Sequence, residues 1–386
     1  MRVLYHHRTA SKDGQAVHIE EMIAALRALG HEVLIVAPAA SQEGQMGGSV
    51  GWVHRLRSQL PQAVYELMEL AYSVLAYFRL ARAARSFRPD VIYERYNLFL
   101  LAGLAVKRRL RIPLLLEVNA PLAQERALHS GGLALPWLAH WAERLVWRGA
   151  DAVLPVTRVL ADMIRSEGVA AERLHVVPNG INEAHFAQAP QAGDAKKAHG
   201  LDSRLVLGFT GFVREWHGVD RVIRWMASEN APPNAELVVV GDGPVRSELE
   251  SLAARLRLDD RVRFTGVIHR DRVPDWVAAF DIALQPAVVP YASPLKLMEY
   301  LALGKAIIAP RTPNLLEVLT DGQNATMFDA DDPRGLEDAL TRLCADETLR
   351  NRLGQGARES IGRLQLTWTG NAGRVIALAN SLIERS

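Results

Sequence analysis

The stretch 293-SPLKLMEYLALGKAIIAP-310 decides how this chain folds. Its first half spaces apolar residues as a helix does, and its second half, KAIIAP, is a short continuous apolar run of strand length. A strand apolar on both faces belongs inside a parallel sheet covered by helices on each side. Lys296, in the first helical turn, is out of place in such a unit. Helix N-termini carry partial positive charge and favour acids, so a cation beside the unpaired N–H groups there asks for an anion between them.

Outward from this unit the same alternation runs through nearly the whole chain. RVLY, HEVLIVAP, DVIYERY, IPLLLEV and DAVLPV read as strands of a first sheet, and RLVLGFTG, AELVVVGDG, RVRFTG, DIALQP and KAIIAP as strands of a second. Helix-period stretches lie between them, one stopped at Gly30 and others opened by Pro244, Pro294 and Pro333. Strands alternating with helices predict an α/β protein of two Rossmann-like, doubly wound parallel-sheet domains. The expected boundaries are a first domain over 1–183, a linker over 184–203 inside a run, 175–204, rich in Pro, Gly, Ala and polar residues, and a second domain over 204–366. The terminal helix 367–386 is a candidate to pack back on the first domain. Two such domains are expected to face a central cleft at the carboxyl ends of their strands, where open α/β sheets bind ligands.

Bulk composition narrows the function. The chain has 386 residues, 49% hydrophobic and 23% charged, with a net charge of +2. That length asks for two cores, and the near-neutral charge argues against nucleic acid as a partner. The single cysteine, Cys344, excludes an intramolecular disulfide and fits a reducing compartment. The opening MRVLYHHRTA lacks the apolar core of a signal peptide, and no apolar run has the length of a membrane span, so a cytoplasmic protein is expected. His and Cys never cluster at zinc spacing, and Asp332 before Pro333 reads as a helix cap, so no metal site is expected. Without GxGxxG or a P-loop, a dehydrogenase or ATPase has no support.

Three strand-to-helix turns of the second half are candidates for anion binding. In the first, Ser293 caps the helix and Pro294 opens it, leaving the N–H groups of Leu295, Lys296 and Leu297 to a phosphate, with Glu299 one turn on to meet a ribose. The alternative is a plain Lys296–Glu299 pair on a solvated face. In GFTGFVREWHGVDRVI (208–223), Arg214 and His217 precede a helix starting near Gly218, and Gly211 lets backbone approach a ligand. A solvated Arg and a packed His would explain the same letters. The third turn holds Gly241, Asp242 and Gly243 ahead of Pro244, and is equally at home as structural punctuation.

In the first half, SKDGQAVHIEEMI leads from a loop into a helix, with Gly14 near its start and His18 in its first turn. His18 reads as a sugar ligand or as a satisfied helix residue. Glu117 and Asn119 fall at a strand's carboxyl end, as do Glu94 and Arg95, which can also pair with each other. LPQAVYELMELAYSVLAYFRLARAARSFRP (60–89) is amphipathic, with apolar Val64, Leu67, Ala71, Val74, Phe78 and Ala81 and with Arg79, Arg82, Arg85 and Arg88. It reads as a helix whose apolar face joins the core, or as one lying in an anionic membrane interface.

In this order DGQAVHIEEMIAALRALGHEV, VVPNGIN, GFTGFVREWHGVDRVI, VVVGDGP, FTGVIHRDRVPDWVAAFDIALQP and SPLKLMEYLALGKAIIAP resemble the family-4 retaining glycosyltransferases of the GT-B fold (group 1 glycosyl transferases), over essentially the full length. The resemblance implies a nucleotide-sugar donor, UDP- or GDP-linked, on the second domain. It implies a glycan or lipid-linked acceptor on the first, in cell-surface polysaccharide or glycolipid synthesis, with no cofactor and no metal. Glu299 matches the second, ribose-binding glutamate of the family's Glu-x7-Glu motif, and Tyr291 stands in place of the first. The family's phosphate-binding Arg and Lys fall at Phe212 and His217, with Arg214 two positions away as a substitute; Asn119 stands where a histidine often closes the fourth-strand motif. Arg214, His217, Lys296 and Asn119 are therefore the expected catalytic residues. The expected donor side is Gly211, Arg214, His217, Gly241, Asp242, Gly243, Ile268, Ser293, Pro294, Leu295, Lys296 and Glu299, and the acceptor side Gly14, His18, Glu94, Arg95 and Glu117. Two rivals stay open: a sugar-nucleotide 2-epimerase on the same fold, and a non-catalytic nucleotide-sugar-binding scaffold.

Overall fold

The structure, a computed structural model, describes residues 1–9, 14–38, 60–129 and 132–385. The chain forms two compact units: Met1–Pro178 with Tyr291–Ser293 and Trp368–Ser386, and Asn179–Pro290 with Pro294–Thr367.

The first unit holds a parallel sheet in the order β2-β1-β3-β4-β5, built from β1 (Arg2–His6), β2 (Glu32–Val36), β3 (Val91–Arg95), β4 (Leu114–Val118) and β5 (Ala152–Pro155). The last three are buried at every residue, which is why they read as near-continuous apolar runs. The second unit orders β6 (Leu205–Thr210), β7 (Ala235–Val240), β8 (Val262–Gly266), β9 (Ile282–Leu284), β10 (Ala306–Pro310) and β11 (Thr326–Phe328) as β11-β10-β9-β6-β7-β8. Counted from β6 this is the 3-2-1-4-5-6 order of dinucleotide-binding sheets. β11 escapes the sequence reading because three residues carry no period. Alternate side chains of β6 and β7 feed two cores, Leu207, Phe209, Leu237 and Val239 into one and Val206, Val238 and Val240 into the other. Each such burial of a large apolar side chain contributes about 1.5–3 kcal/mol relative to exposure.

The stretch 184–203 is not the open linker its composition suggested. Its helices Glu183–Phe186 and Ala192–Ala198 belong to the second unit, and Ala195 and Leu201 are buried in the same core as Val277 and Phe280. The Pro and Gly there punctuate short helices. The Trp368–Ile383 helix belongs to the first unit and buries Trp368, Ala372, Val375 and Ala379, one face at helical spacing.

The Gln62–Phe87 helix turns polar groups inward along its first half and apolar ones along its second. Its buried side carries Glu66, Glu69 and Ser73 before Ala76, Leu80, Ala84 and Phe87, whereas Val64, Leu67, Met68, Val74, Leu75 and Phe78 are between 42% and 64% exposed. Polar contacts hold its first half. Glu66 accepts the N–H groups of Ala134 and Leu135, each at 2.8 Å, Glu69 pairs with Arg126, and Ser73 donates to the Phe99 carbonyl. Of the apolar stripe expected to join the core, Val64, Leu67, Ala71, Val74 and Phe78 stay exposed and Ala81 alone is buried there. No helix among the described residues is long and apolar enough to cross a membrane.

Candidate functional site

In each sheet the winding reverses beside the first strand, between β6 and β9 in the second unit and between β1 and β3 in the first. Such reversal points open crevices at the strands' carboxyl ends. The second unit fills its crevice with charge. β6 ends in buried Phe209, then Thr210, whose N–H donates to the Tyr300 hydroxyl at 2.9 Å, then Gly211 at φ +122°. From the Leu295–Ala302 helix, Lys296 lays its Nζ 3.6 Å from the centroid of the Phe209 ring. That nitrogen is buried and makes no hydrogen bond. Burial pushes the ammonium down to about 7, against the pull of Glu299. Burial likewise pushes Glu299 up to about 7, opposed by Lys296, by Arg270 and by a 3.5 Å hydrogen bond from Thr210 Oγ1. Both charged groups are shielded, so a pair spread on a solvated face is not what forms. A buried ammonium resting only on a ring face lacks the acceptors that would offset its desolvation.

His217 is neutral. The Arg214 N–H donates to its Nδ1 at 3.1 Å, which leaves Nε2 as the protonated, donating nitrogen. Burial lowers its pKa to about 2, with Lys296 and Arg214 adding to the shift. The Arg214 guanidinium lies 4.9 Å from the ring centroids of both Phe212 and Trp216, held by aromatic faces.

Several expectations change here. Ser293 does not cap the helix: Pro294, at φ −68° and ψ 122°, takes the cap position, and Ser293 groups with the first unit. The Leu297 N–H is spent on the Pro294 carbonyl at 3.1 Å, so the leading N–H groups are those of Leu295 and Lys296. Gly241 and Gly243 serve close approach to protein. A Cβ at 241 would overlap the Gly211 carbonyl and one at 243 the Val213 carbonyl, while the Val213 N–H bonds the Asp242 carbonyl at 2.8 Å. The Asp242 carboxylate accepts the Gly243 N–H at 2.7 Å and faces Arg246. Ile268 packs against the second unit's core. Arg270 beside Glu299, and Phe209 under Lys296, were not singled out from the sequence; a basic residue just past β8 was the available signal.

In the first unit one carboxylate gathers most of the expected residues. Glu117 accepts hydrogen bonds from the Tyr93 hydroxyl (2.8 Å), the Tyr5 hydroxyl (3.4 Å), Asn119 Nδ2 (2.5 Å) and Arg95, and His18 Nε2 lies 3.1 Å away as an ion-pair partner. Burial alone would raise its pKa, but His18, Arg95 and these hydrogen bonds hold it well below the ordinary carboxylate range. His18 is thus a buried partner of Glu117, edge-on to Trp368 at 4.8 Å, and Asn119 points its amide at the same group. Glu94 and Arg95 do not pair: neighbours on a strand face opposite ways, and Glu94 meets His6 Nδ1 at 2.5 Å instead. His7, next on the chain, is buried with Nδ1 unbonded, and burial with His6 and Arg95 lowers its pKa to about 4. The sequence reading passed over this His pair. Gly14 is exposed at the start of its helix, and the preceding loop residues fall outside the described ones. Tyr291 donates its hydroxyl to Glu125 at 3.0 Å, and its carbonyl accepts from Thr157 at 2.9 Å.

Residues 13–180 match the glycosyl transferase 4-like domain, and residues 193–360 the glycosyl transferases group 1 domain. A D-inositol 3-phosphate glycosyltransferase of Xylanimonas cellulosilytica is 31% identical over 288 residues, 71% of this chain and 68% of that protein. The chain belongs to the group 1 glycosyltransferases. A second D-inositol 3-phosphate glycosyltransferase, from Thermomonospora curvata, is 27% identical to this glycosyltransferase across 98% of its chain and 95% of the relative. The alpha-D-kanosaminyltransferase of Streptomyces kanamyceticus is 25% identical over 65% of this chain and 66% of its own. Among solved structures, HepE of Anabaena in complex with UDP superposes with a TM-score of 0.74 at 16% identity, covering 99% of this chain and 100% of that one. The sucrose-phosphate synthase of Thermosynechococcus elongatus gives 0.79 at 18%, covering 100% of both chains. At these identities the likeness is one of fold, and the fold of this glycosyltransferase is GT-B.

Proposed function

We propose that this glycosyltransferase moves a sugar, with retention of configuration, from a UDP- or GDP-sugar to a hydroxyl of a glycan or lipid-linked acceptor, in the cytoplasm, for cell-surface polysaccharide or glycolipid. The observation that carries the donor half is the buried Lys296 ammonium, with no hydrogen-bond acceptor and one turn from Glu299. A diphosphate at the start of the Leu295–Ala302 helix gives that ammonium its counter-charge, and the Leu295 and Lys296 N–H groups add to it. Glu299 then meets the ribose hydroxyls.

As the glycosidic bond breaks, its electron pair leaves on the phosphate oxygen. Lys296, Arg214 and the His217 Nε2–H offset that charge, in this reading without a metal. The acceptor oxygen forms the new bond on the face the diphosphate leaves, and passes its proton to the departing phosphate. Losing one such preorganised donor costs about 2.7–4 kcal/mol of transition-state stabilisation. The UDP and UDP-glucose complexes of HepE support a uridine donor, and the relatives' names support a polyol phosphate or aminoglycoside among the acceptors to be tried.

The test is thermal stability against UDP, GDP, ADP and their sugars with chelator present, since a ligand of the native state raises the midpoint. One nucleotide should shift it, and Glu299→Ala should abolish that shift; no shift with any of them removes the donor assignment. Diphosphate release in proportion to added acceptor then separates the transferase from an epimerase or a scaffold.

A further inference from the structure

We infer that the exposed face of the Gln62–Phe87 helix docks this protein on an anionic lipid surface. The inference is independent of the donor site. At the α-helical repeat, Val64, Leu67, Met68, Val74, Leu75 and Phe78 fall within an arc of about 120°. All six are exposed, up to 64% at Phe78. Arg82 and Arg85 continue the same stripe beyond Phe78, Arg79 borders it, and all three are exposed. The helix has two acids, Glu66 and Glu69, and both face inward onto N–H groups and Arg126. The outer face is therefore apolar over its first turns, cationic over its last, and free of carboxylates.

A second helix with exposed apolar side chains starts against the inward side of this one. Because Glu66 holds the N–H groups of Ala134 and Leu135, the Pro136–Gly149 helix starts next to the first half of this one. Trp137 and Trp141, one turn apart on it, are 68% and 48% exposed. Indoles suit the boundary between headgroups and acyl chains, as arginines suit phosphates just above it. Apolar surface rimmed by polar residues marks sites of interaction with proteins or membranes. A second copy of the chain is the poorer occupant, because pairing this face with itself offers the arginines no carboxylate. With no helix of membrane-spanning character among the described residues, the helix lies in the interface plane.

The experiment is flotation of the full chain with vesicles of phosphatidylcholine alone or mixed with phosphatidylglycerol. The protein should float with the mixed vesicles and hardly with phosphatidylcholine. Phe78→Glu should abolish flotation, and Arg82→Ala should lower the partition coefficient about fivefold, Arg82→Ala with Arg85→Ala about 25-fold. Thermal midpoints should stay at the parent value, because these side chains are exposed; they separate a lost surface from a lost fold. Absence of binding to the mixed vesicles, or flotation of a folded Phe78→Glu protein at the parent level, overturns the proposal. So does a dimer in sedimentation that Phe78→Glu dissolves, which would name a second copy as the occupant.

Discussion

Gly211 turns directly beneath Lys296: a Cβ at position 211 would lie 3.4 Å from Lys296 Cε and 3.5 Å from Nζ. The ammonium stands between that bare backbone and the Phe209 ring. The φ of +122° is one that side-chain-bearing residues rarely adopt.

Gly211→Ala should therefore act twice. Backbone strain should lower stability by about 1–3 kcal/mol, and the methyl should occupy space beside the ammonium. The measurable outcome is a lower thermal midpoint with the nucleotide-induced shift gone. A nucleotide shift of parental size in this variant would take the turn out of the site.

Lys296→Met should cut turnover by about 10²–10³, yet leave stability at pH 7 equal to the parent or above it. The ammonium titrates at about 7 in the folded chain against 10.5 ordinarily, so between these values the unfolded chain binds more protons. Parent stability must then rise with pH across that window. Denaturant unfolding at pH 7 and pH 9 should show this rise in the parent and its absence in Lys296→Met. An equal slope in both places the charge elsewhere.

His217 separates donation from charge. With its pKa lowered to about 2, it is neutral throughout the working range. His217→Gln keeps an N–H donor, and should preserve the shape of the pH–rate profile between about pH 5 and 8. His217→Phe should lower turnover by about 10² with the same shape. An acidic limb that disappears in either variant would show that the imidazole titrates during turnover.

Glu117→Gln should be the most destabilising of these changes. It strips the negative partner from buried Arg95 and His18, and breaking a buried ion pair costs about 3–5 kcal/mol. The folded carboxyl sits below its ordinary 4.5, so its contribution is present above that value and lost as pH falls beneath it. Urea unfolding at pH 7 and pH 4 should show the parent losing more stability on acidification than the variant. Equal losses would count against a buried anion at 117.

Strands were legible in this chain because parallel strands covered on both sides leave unbroken apolar runs, as LLLEV and AIIAP do. Lys296 was legible as an anomaly, a cation where helices prefer acids. Its surroundings were less so, since Phe209 comes from the end of β6 and Arg270, which faces Glu299, from the turn after β8, and only the basic character of that turn marks either. Glu94 and Arg95 misled by adjacency: neighbours along a strand are the pair least able to touch. The helix over 62–87 showed its period plainly but not its inward side, because the groups that hold Glu66 are N–H groups of residues 134 and 135, and backbone donors have no letter in the sequence.

The interlock of Gly241 and Gly243 with Gly211 and Val213 reaches beyond packing. With no room for a side chain between them, the two turns share one rigid backbone floor, and neither can be resculpted alone. Retuning this protein toward another donor must then be done by the walls. A library at 211, 241 and 243 should return glycine, at 211 for its φ of +122° and at 241 and 243 for want of space.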